Sequence, residues 1–328
     1  MRLDFIRPLY ERRGPYVSVY VGTPNGTGRE SHWRGVRDRL TMADPATVDA
    51  LERAAIGPSA LFGTHGDVVM AEPLAEPPPR ELATWAPLPH VTPMLMQRGE
   101  NLPHLRVVVD RAGAELTVFG GGSPRTSAVE AAPWPLPKTA QGGWARRRYR
   151  NAAGQAWDAA AVAWEIDEQV RRIGTELILM AGDPRSCALL CDRLGTKSAD
   201  RVTMVEQGSR PDHERDVERA LDLWLEGCRA ELLDRHRDAA GPVGVARVAH
   251  ALREGRAQAV LSPGELPQPV WIGGGGTQMS VDAAELRRWG VEEPMRDRAD
   301  SALARAAAMT DAELWFTDAI SDVAAVIR

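Results

Sequence analysis

Residues 138–151 read KTAQGGWARRRYRN, and the residue types there suit one chemistry. Arg146, Arg147, Arg148 and Arg150 put four positive charges within five positions. Such charges repel one another unless anions lie nearby. Trp144 and Tyr149 interleave flat rings with the charge. Arginine with aromatic rings suits phosphate contact plus base stacking, the usual chemistry of RNA recognition. Gly142 and Gly143 let a backbone bend and approach a surface closely. The residues alone predict a loop that contacts RNA and leads into a helix opening at Asn151. The plainer alternative is a solvated arginine-rich turn. In the loop reading the cations precede a helix N-terminus, where the dipole disfavours them, so the helix does not account for their presence.

Two other stretches invite a ligand. IGGGGT (272–277) follows a strand, but no helix pattern opens after it and no Gly-Lys-Ser/Thr is present. A phosphate-binding loop needs a helix N-terminus to receive the anion, so a flexible loop is expected. AGDPRS (181–186) falls at a strand-to-helix turn, where α/β proteins often bind ligands. Asp183 and Pro184 there also make an ordinary helix start. Cys187 and Cys191 are four apart and Cys228 is the third cysteine. That is neither a CxxC pair nor a disulfide framework, and buried structural thiols are expected. The histidines are scattered, with no HExxH and no GxSxG elbow. No catalytic residue, cofactor or metal site is nominated.

The elements that must position the arginine run alternate between strand and helix, which predicts an α/β chain with some parallel pairing. In a first segment (1–100), YVSVYVG (16–22) reads as a strand. ESHWRGVRDRL (30–40) and PATVDALERAAI (45–56) read as helices, the second capped by Asp44. SALFGTHGDVVMAEPL (59–74) reads as a hairpin, and the proline-rich stretch 76–93 as a linker or edge. In a second segment (101–240), 104–121 reads as a hairpin, 151–173 as a long helix, 176–182 and 201–206 as strands, and 213–238 as a second long helix. On the first long helix Trp157, Ala161 and Trp164 share one face, and Ile166, Val170 and Ile173 the next. The third segment (241–328) reads as α-β-α: helix 243–255, strands 257–263 and 269–274, helix 297–310, strand 312–317 and a closing helix 318–328. At 328 residues two or three domains are expected. The composition, 44% apolar and 26% charged, is that of a folded chain without a membrane span or signal peptide, and a cytoplasmic protein is expected. The net charge of −5 does not oppose RNA contact, which needs local positive charge; the cations are arginine throughout except Lys138 and Lys197.

The arginine run and its flanks resemble the archaeal and eukaryotic class-1 peptide-chain release factors and their Pelota relatives. Those proteins carry a Gly-Gly-Gln loop, an arginine- and aromatic-containing run, and then a long helix. Gly142 and Gly143 match the two glycines, Arg148 the family's arginine and Tyr149 its aromatic position. LILMAGDP (177–184) is similar to the family's strand ending in Ala-Gly before a helix. The resemblance implies a small N-terminal α/β domain, a central ribonuclease-H-like mixed sheet with long helices, and a C-terminal domain like kink-turn-binding ribosomal proteins. Trp144 stands where the family has glutamine. Indole has one N–H donor and no acceptor, so it cannot place the attacking water as an amide does. Among bacterial relatives the chain resembles Balon-type ribosome hibernation factors of actinobacteria. That implies a ribosomal partner, with ribosomal RNA and the P-site tRNA in reach, and elongation factor Tu as a further candidate partner. It implies that Gly142, Gly143, Trp144, Arg146, Arg147, Arg148, Tyr149 and Arg150 line the RNA contact in a non-catalytic factor. Two other functions stay open: a hydrolase that releases peptide from tRNA on stalled ribosomes, and a metabolic α/β enzyme using the 181–186 turn or the 272–277 loop.

Overall fold

The computed structural model describes all residues except 23–27, 75, 101–103, 111–112, 120–126, 130–144, 151–158, 174, 176 and 206–212. By packing, the described chain divides into two units: Met1–Glu100 with Cys228–Arg328, and Asn101–Gly227.

The N-terminal part of the first unit begins with helix α1 (Pro8–Glu11) and strand β1 (Tyr16–Val21). Every residue of YVSVYV is buried, because β1 is a central strand with both faces covered. Helices α2 (Gly28–Arg39) and α3 (Pro45–Ala54) follow. Asp44 caps α3, its Oδ1 accepting from Ala46 N–H at 3.1 Å and its Oδ2 from the Thr47 hydroxyl at 3.0 Å. Strands β2 (Ser59–Thr64) and β3 (Asp67–Pro73) form the expected hairpin. Its two-residue turn has His65 at φ +52° and Gly66 at φ +82°, the positive pair that matches strand twist. Strand β4 (Leu82–Ala86) completes the antiparallel order β3-β2-β1-β4. The proline-rich stretch therefore holds an edge strand, where missing N–H donors do least harm. Pro93, read as a breaker, instead falls in the first turn of helix α4 (Thr92–Glu100), where its N–H is not needed. Trp33, Val36, Leu51, Val19 and Leu61 sit in the core of this part.

The second unit is built on a six-stranded mixed sheet, β10-β9-β5-β6-β8-β7. Its members in chain order are β5 (His104–Asp110), β6 (Gly113–Phe119), β7 (Ser127–Val129), β8 (Ala145–Arg150), β9 (Leu177–Gly182) and β10 (Val202–Met204). β5 pairs antiparallel with β6 and parallel with β9, which pairs parallel with β10. Helices α5 (Ala159–Ile173), α6 (Pro184–Cys191), α7 (Thr196–Ala199) and α8 (His213–Asp238) complete it, α8 running past Gly227 into the other unit. Val162, Ala163, Ile166 and Val170 of α5 pack on Leu105, Val107, Leu116, Ile178 and Met180 of the sheet. Ile166 and Val170 thus lie on the buried face, while Trp164 is 49% exposed on the other. Trp157 and the start of the helix expected from Asn151 lie outside the described residues.

The C-terminal part of the first unit differs more from expectation. Helix α9 (Val245–Arg253) and strands β11 (Ala257–Ser262) and β12 (Pro269–Ile272) are as read. Next come strand β13 (Met279–Ser280), helix α10 (Ala283–Arg288) and strand β14 (Met295–Arg298), none of them anticipated. Helix α11 (Ala299–Met309) and strand β15 (Glu313–Phe316) follow, and the closing segment is strand β16 (Ala324–Ile327), not a helix. A four-residue apolar run carries no usable period. Here it fills the open edge of β11 in the order β15-β11-β16, with Val323 to Val326 buried. The small sheet β13-β12-β14 packs beside α11, and the part is richer than α-β-α. The two ends of the chain are hydrogen-bonded within this unit: Met1 and Leu314 exchange both backbone bonds at 3.0 Å, and Leu88 N–H donates to Asp297 Oδ2 at 2.7 Å. Overall the described residues form eleven α-helices and four sheets, a mixed α/β fold, and no helix among them is long and apolar enough to cross a membrane.

Candidate nucleic-acid interface

The arginine run forms strand β8 rather than a loop. Gly142, Gly143 and Trp144 lie outside the described residues. The described part of α5 begins at Ala159, so Arg150 does not directly adjoin a described helix N-terminus. The register against β6 decides which positions of the run share a face. Thr117, Leu116, Glu115, Ala114 and Gly113 stand opposite Arg146, Arg147, Arg148, Tyr149 and Arg150. Directly opposed residues share a face of an antiparallel pair. Leu116 and Ala114 belong to the core under α5, so positions 147 and 149 belong to the core face. Positions 146, 148 and 150 belong to the far face, with Thr117 and Glu115. Five of the eight residues grouped as one interface are thereby assigned to register faces. Arg146, Arg148 and Arg150 share one register face, and Arg147 and Tyr149 share the other.

The same far face carries a ring stack that sequence reading missed. His104 on β5 stands opposite Phe119 on β6, and their rings stack at 4.6 Å with 14° between planes. Arg106, two residues along β5, sets its guanidinium carbon 3.8 Å above the Phe119 ring. Its Nε–H donates to His104 Nε2 at 3.1 Å. His104 is buried and Arg106 and Phe119 are half-buried. An alternating His-x-Arg faced across a hairpin by phenylalanine is the only sequence signal for it.

Compared with known families, residues 103–242 match the model of bacterial archaeo-eukaryotic release factor family 2. That segment of the chain is release-factor-like. The matched segment holds β5 to β10, α5 to α8, the Gly-Gly pair and the arginine strand. Two Mycobacterium tuberculosis proteins, the uncharacterized proteins MT2704 (strain CDC 1551 / Oshkosh) and Rv2629 (strain H37Rv), are each 27% identical over 96% of this chain and 92% of their own length. Among solved structures, Saccharomyces cerevisiae Dom34, described as a translation termination-like factor interacting with Hbs1, is 8% identical. It aligns over 76% of this chain and 74% of its own, with a TM-score of 0.37. Archaeal Pelota, from a model of ribosome-bound Pelota and ABCE1, is 13% identical over 99% of this chain and 94% of its own, with a TM-score of 0.35. Those overlays are loose and fix no residue correspondence.

Within the release-factor-like segment the 181–186 turn is used up by the fold. Asp183 Oδ2 accepts from Ser186 N–H at 3.1 Å and from the Ser186 hydroxyl at 3.0 Å. The side chain thus caps α6 and fills the place an anion would take. Burial raises the Cys187 thiol to about 11 and also raises Cys191, so neither is a ready thiolate. The 272–277 loop, outside the segment, is closed on itself. Gly273 N–H donates to Gln278 O at 2.9 Å and Gly275 N–H to Gln278 Oε1 at 2.8 Å. The buried Arg305 donates to Gly273 O at 2.9 Å and Gln278 O at 3.0 Å. Both loops that a metabolic enzyme would have used hold their own polar groups.

One polar cluster joins distant parts of the chain in the first unit. His90, Glu265 and Asp300 bring donor atoms within 4.8 Å of one another. His90 is 3% exposed and lacks a hydrogen-bond partner on either ring nitrogen. Its Nε2 lies 3.8 Å from Glu265 Oε2 and from Asp300 Oδ2. A cation already serves those two oxygens, because Arg298 Nη2 donates to them at 2.9 and 2.6 Å. Both Asp300 oxygens also accept backbone N–H groups, from Ser301 and Leu266. The two carboxylates are satisfied by Arg298 and backbone donors, while the buried His90 beside them has no hydrogen-bond partner and its pKa is lowered by burial. Beside it, burial pushes Asp297 up to about 6 from 3.8, against donors from Arg298 and Leu88 and the charge of Arg305. A carboxyl raised on folding stabilises fully below its unfolded pKa and loses that contribution as pH rises through the folded one. The unfolding free energy of the native chain minus that of Asp297→Asn should therefore increase as pH falls from 7 to 4. The expected rise is about 3 kcal/mol, roughly two pKa units at 1.36 each, measured by denaturant titration. His90 contributes with the opposite sign below pH 6.5, and the difference between the two proteins isolates Asp297.

Proposed function

We propose that the protein is a ribosome-binding factor for dormant or stalled ribosomes. It occupies the A site and holds residues 139–150 near the peptidyl-transferase centre without hydrolysing the peptidyl-tRNA ester. In this reading the chain works in three parts, 1–100, 101–240 and 241–328. The middle part meets ribosomal RNA and the acceptor end of the P-site tRNA, and elongation factor Tu is the candidate delivery partner. The observation that carries the reading is the release-factor match over residues 103–242, which includes the Gly-Gly pair and the arginine run. The mycobacterial relatives support its actinobacterial setting. The non-catalytic part rests on Trp144 in place of the family's glutamine. A single indole donor cannot both accept from and donate to an attacking water. Arg146, Arg148 and Arg150 supply the local positive charge that phosphate binding needs, whatever the net charge.

Co-sedimentation with 70S particles from stationary-phase cells, paired with a peptidyl-tRNA release assay, tests this. The protein is expected in the 70S fraction, with ester hydrolysis at the background rate. Absence from the ribosomal fraction sinks the reading. Turnover that disappears in Gly143→Ala replaces it with the hydrolase reading.

A further inference from the structure

We infer that His90, Glu265 and Asp300 form a binding site for one divalent transition-metal ion of the zinc type, which takes the place of the Arg298 guanidinium. The inference goes beyond the ribosomal reading and does not depend on it. The three side chains come from distant parts of the first unit. His90 lies just before α4, Glu265 between β11 and β12, and Asp300 in the first turn of α11. Their donor atoms all lie within 4.8 Å of one another, and His90 Nε2 stands 3.8 Å from both Glu265 Oε2 and Asp300 Oδ2. One imidazole nitrogen with two carboxylate oxygens is a borderline donor set. It suits zinc and its neighbours better than calcium or magnesium, which prefer oxygen throughout. A bound ion would tie the segment before α4 to the C-terminal part of the unit.

The orphaned histidine is the observation that points to a ligand. A buried polar group without a partner is costly. His90 is 3% exposed, and neither ring nitrogen has a hydrogen-bond partner among the described residues. The backbone holds the residue in place, because its N–H donates to Ser18 Oγ at 2.9 Å and its carbonyl accepts from the Tyr20 hydroxyl at 2.6 Å. At 3.8 Å neither carboxylate is within hydrogen-bond reach of Nε2. A metal ion between the three atoms would give that nitrogen its partner. Burial also lowers the pKa of the imidazole, which favours the neutral form that ligates metal.

The charges favour a dication as well. Two carboxylates share one guanidinium, Arg298 Nη2 lying 2.9 Å from Glu265 Oε2 and 2.6 Å from Asp300 Oδ2. One positive charge against two leaves an excess that a divalent ion would cancel. Asp300 keeps its orientation when Arg298 leaves, because Ser301 N–H donates to Oδ1 at 2.8 Å and Leu266 N–H to Oδ2 at 3.0 Å. Outer bonds of this kind orient a ligating carboxylate. The Arg298 side chain is 29% exposed, so it can swing out to solvent. Zinc–ligand bonds of about 2.0–2.2 Å hold donor atoms roughly 3.3–3.6 Å apart. The exposed Glu265, hydrogen-bonded by Arg298 alone among the described residues, has room to close that gap. His90 Nδ1 lacks an outer partner and a guanidinium must be displaced. The expected dissociation constant is therefore on the order of 1–10 µM, weaker than a structural zinc site. The alternative is a fixed ion network in which Arg298 is the only cation the carboxylates ever meet.

Titration calorimetry and thermal unfolding of the full-length protein, first stripped with a chelator and then given zinc chloride, separate the two. Zn²⁺ is expected to bind one-to-one and to raise the melting temperature by about 5 °C at 100 times its dissociation constant. An equal rise with Mg²⁺ would overturn the donor-set argument. His90→Ala should bind Zn²⁺ at least about tenfold more weakly and lose the temperature rise. Should that variant fail to fold, Glu265→Gln carries the same expectation on an exposed side chain. Arg298→Gln is the decisive contrast. It removes the competing cation, so it should melt lower without metal and bind Zn²⁺ several-fold more tightly than the native protein. Native protein that binds no Zn²⁺ below about 100 µM overturns the inference. Equal binding by the native, His90→Ala and Glu265→Gln proteins places the zinc elsewhere and overturns it too. If Arg298→Gln binds no more tightly, guanidinium and ion do not share these oxygens, and the site falls. The ribosomal reading is decided by co-sedimentation and is untouched by any of these results.

Discussion

Reversing charge at Arg146 and Arg148 together should remove the protein from 70S ribosomes while leaving its melting temperature almost unchanged. Both positions share the β8 face opposite Thr117 and Glu115, away from the core that holds Leu116 and Ala114. Substitutions away from a core usually move stability by no more than about 0.5 kcal/mol. Binding responds differently. Each arginine that meets a phosphate contributes charge neutralisation, and a glutamate in its place adds like-charge repulsion worth several kcal/mol. Two reversals should lower ribosome affinity on the order of 100-fold or more. Arg147 serves as the internal contrast. Its position stands opposite the buried Leu116, so Arg147→Glu is expected to destabilise the second unit and to weaken binding only through that loss. Co-sedimentation and thermal unfolding on the same three preparations decide it. Retention of the Arg146→Glu/Arg148→Glu protein on ribosomes would remove β8 from the interface. A melting temperature that falls as far in that variant as in Arg147→Glu would remove the division of faces.

That division illustrates which features the sequence makes legible and which it hides. Asp44–Pro45 and Asp183–Pro184 announce their helices because a cap is a local bond between neighbours, and both caps are present. The His65–Gly66 turn is equally local, since only the turn residues must tolerate positive φ. The arginine run was legible as a charge cluster but not as a strand. Arginine has no β-branched signature, and its alternation acquires meaning only opposite Leu116 and Ala114. The segment 318–328 misled because Val-Ala-Ala-Val-Ile fits a helix or a buried strand equally well, and the vacant edge of β11 decided for strand. The elements at 279–298 were missed because a two-residue strand and a six-residue helix fall below any periodic signal. The His90 cluster and the His104–Arg106–Phe119 stack depend on pairings across strands and across the chain, which no local window contains.

Gly182→Ala should be the most damaging single methyl at the described glycines of the release-factor-like segment. Gly182 closes β9 with φ +138°, where it pairs in parallel with Val109 of β5. A Cβ built there would lie 1.8 Å from Val109 O and within 2.8 Å of Val109 C and N. Those are backbone atoms in the centre of the sheet, so no side chain can turn aside to make room. Relief requires β9 to move off β5, which also strains the Asp183 N–H bond to Val109 O at 3.0 Å and tilts the capped start of α6. A wrong-handed backbone costs about 1–2 kcal/mol for a residue with a Cβ, and an overlap in a packed interior about 1–3 more. The sum, on the order of 3–4 kcal/mol, is expected to lower the melting temperature of this unit by about 10 °C. Two other glycines calibrate the result. Gly264 has nearly the same φ, +131°, but its nearest neighbour would be the end of the Met96 side chain at 3.5 Å, so Gly264→Ala should show the backbone penalty alone. Gly227 lies in α8 with nothing within 4 Å, and Gly227→Ala should stabilise by up to about 1 kcal/mol. Thermal unfolding of the three variants is thus expected to order them from strong loss through modest loss to gain. A Gly182→Ala protein that melts like Gly264→Ala would show that β9 can leave β5 at little cost. The sheet that carries the arginine strand would then be far less rigid than its register implies.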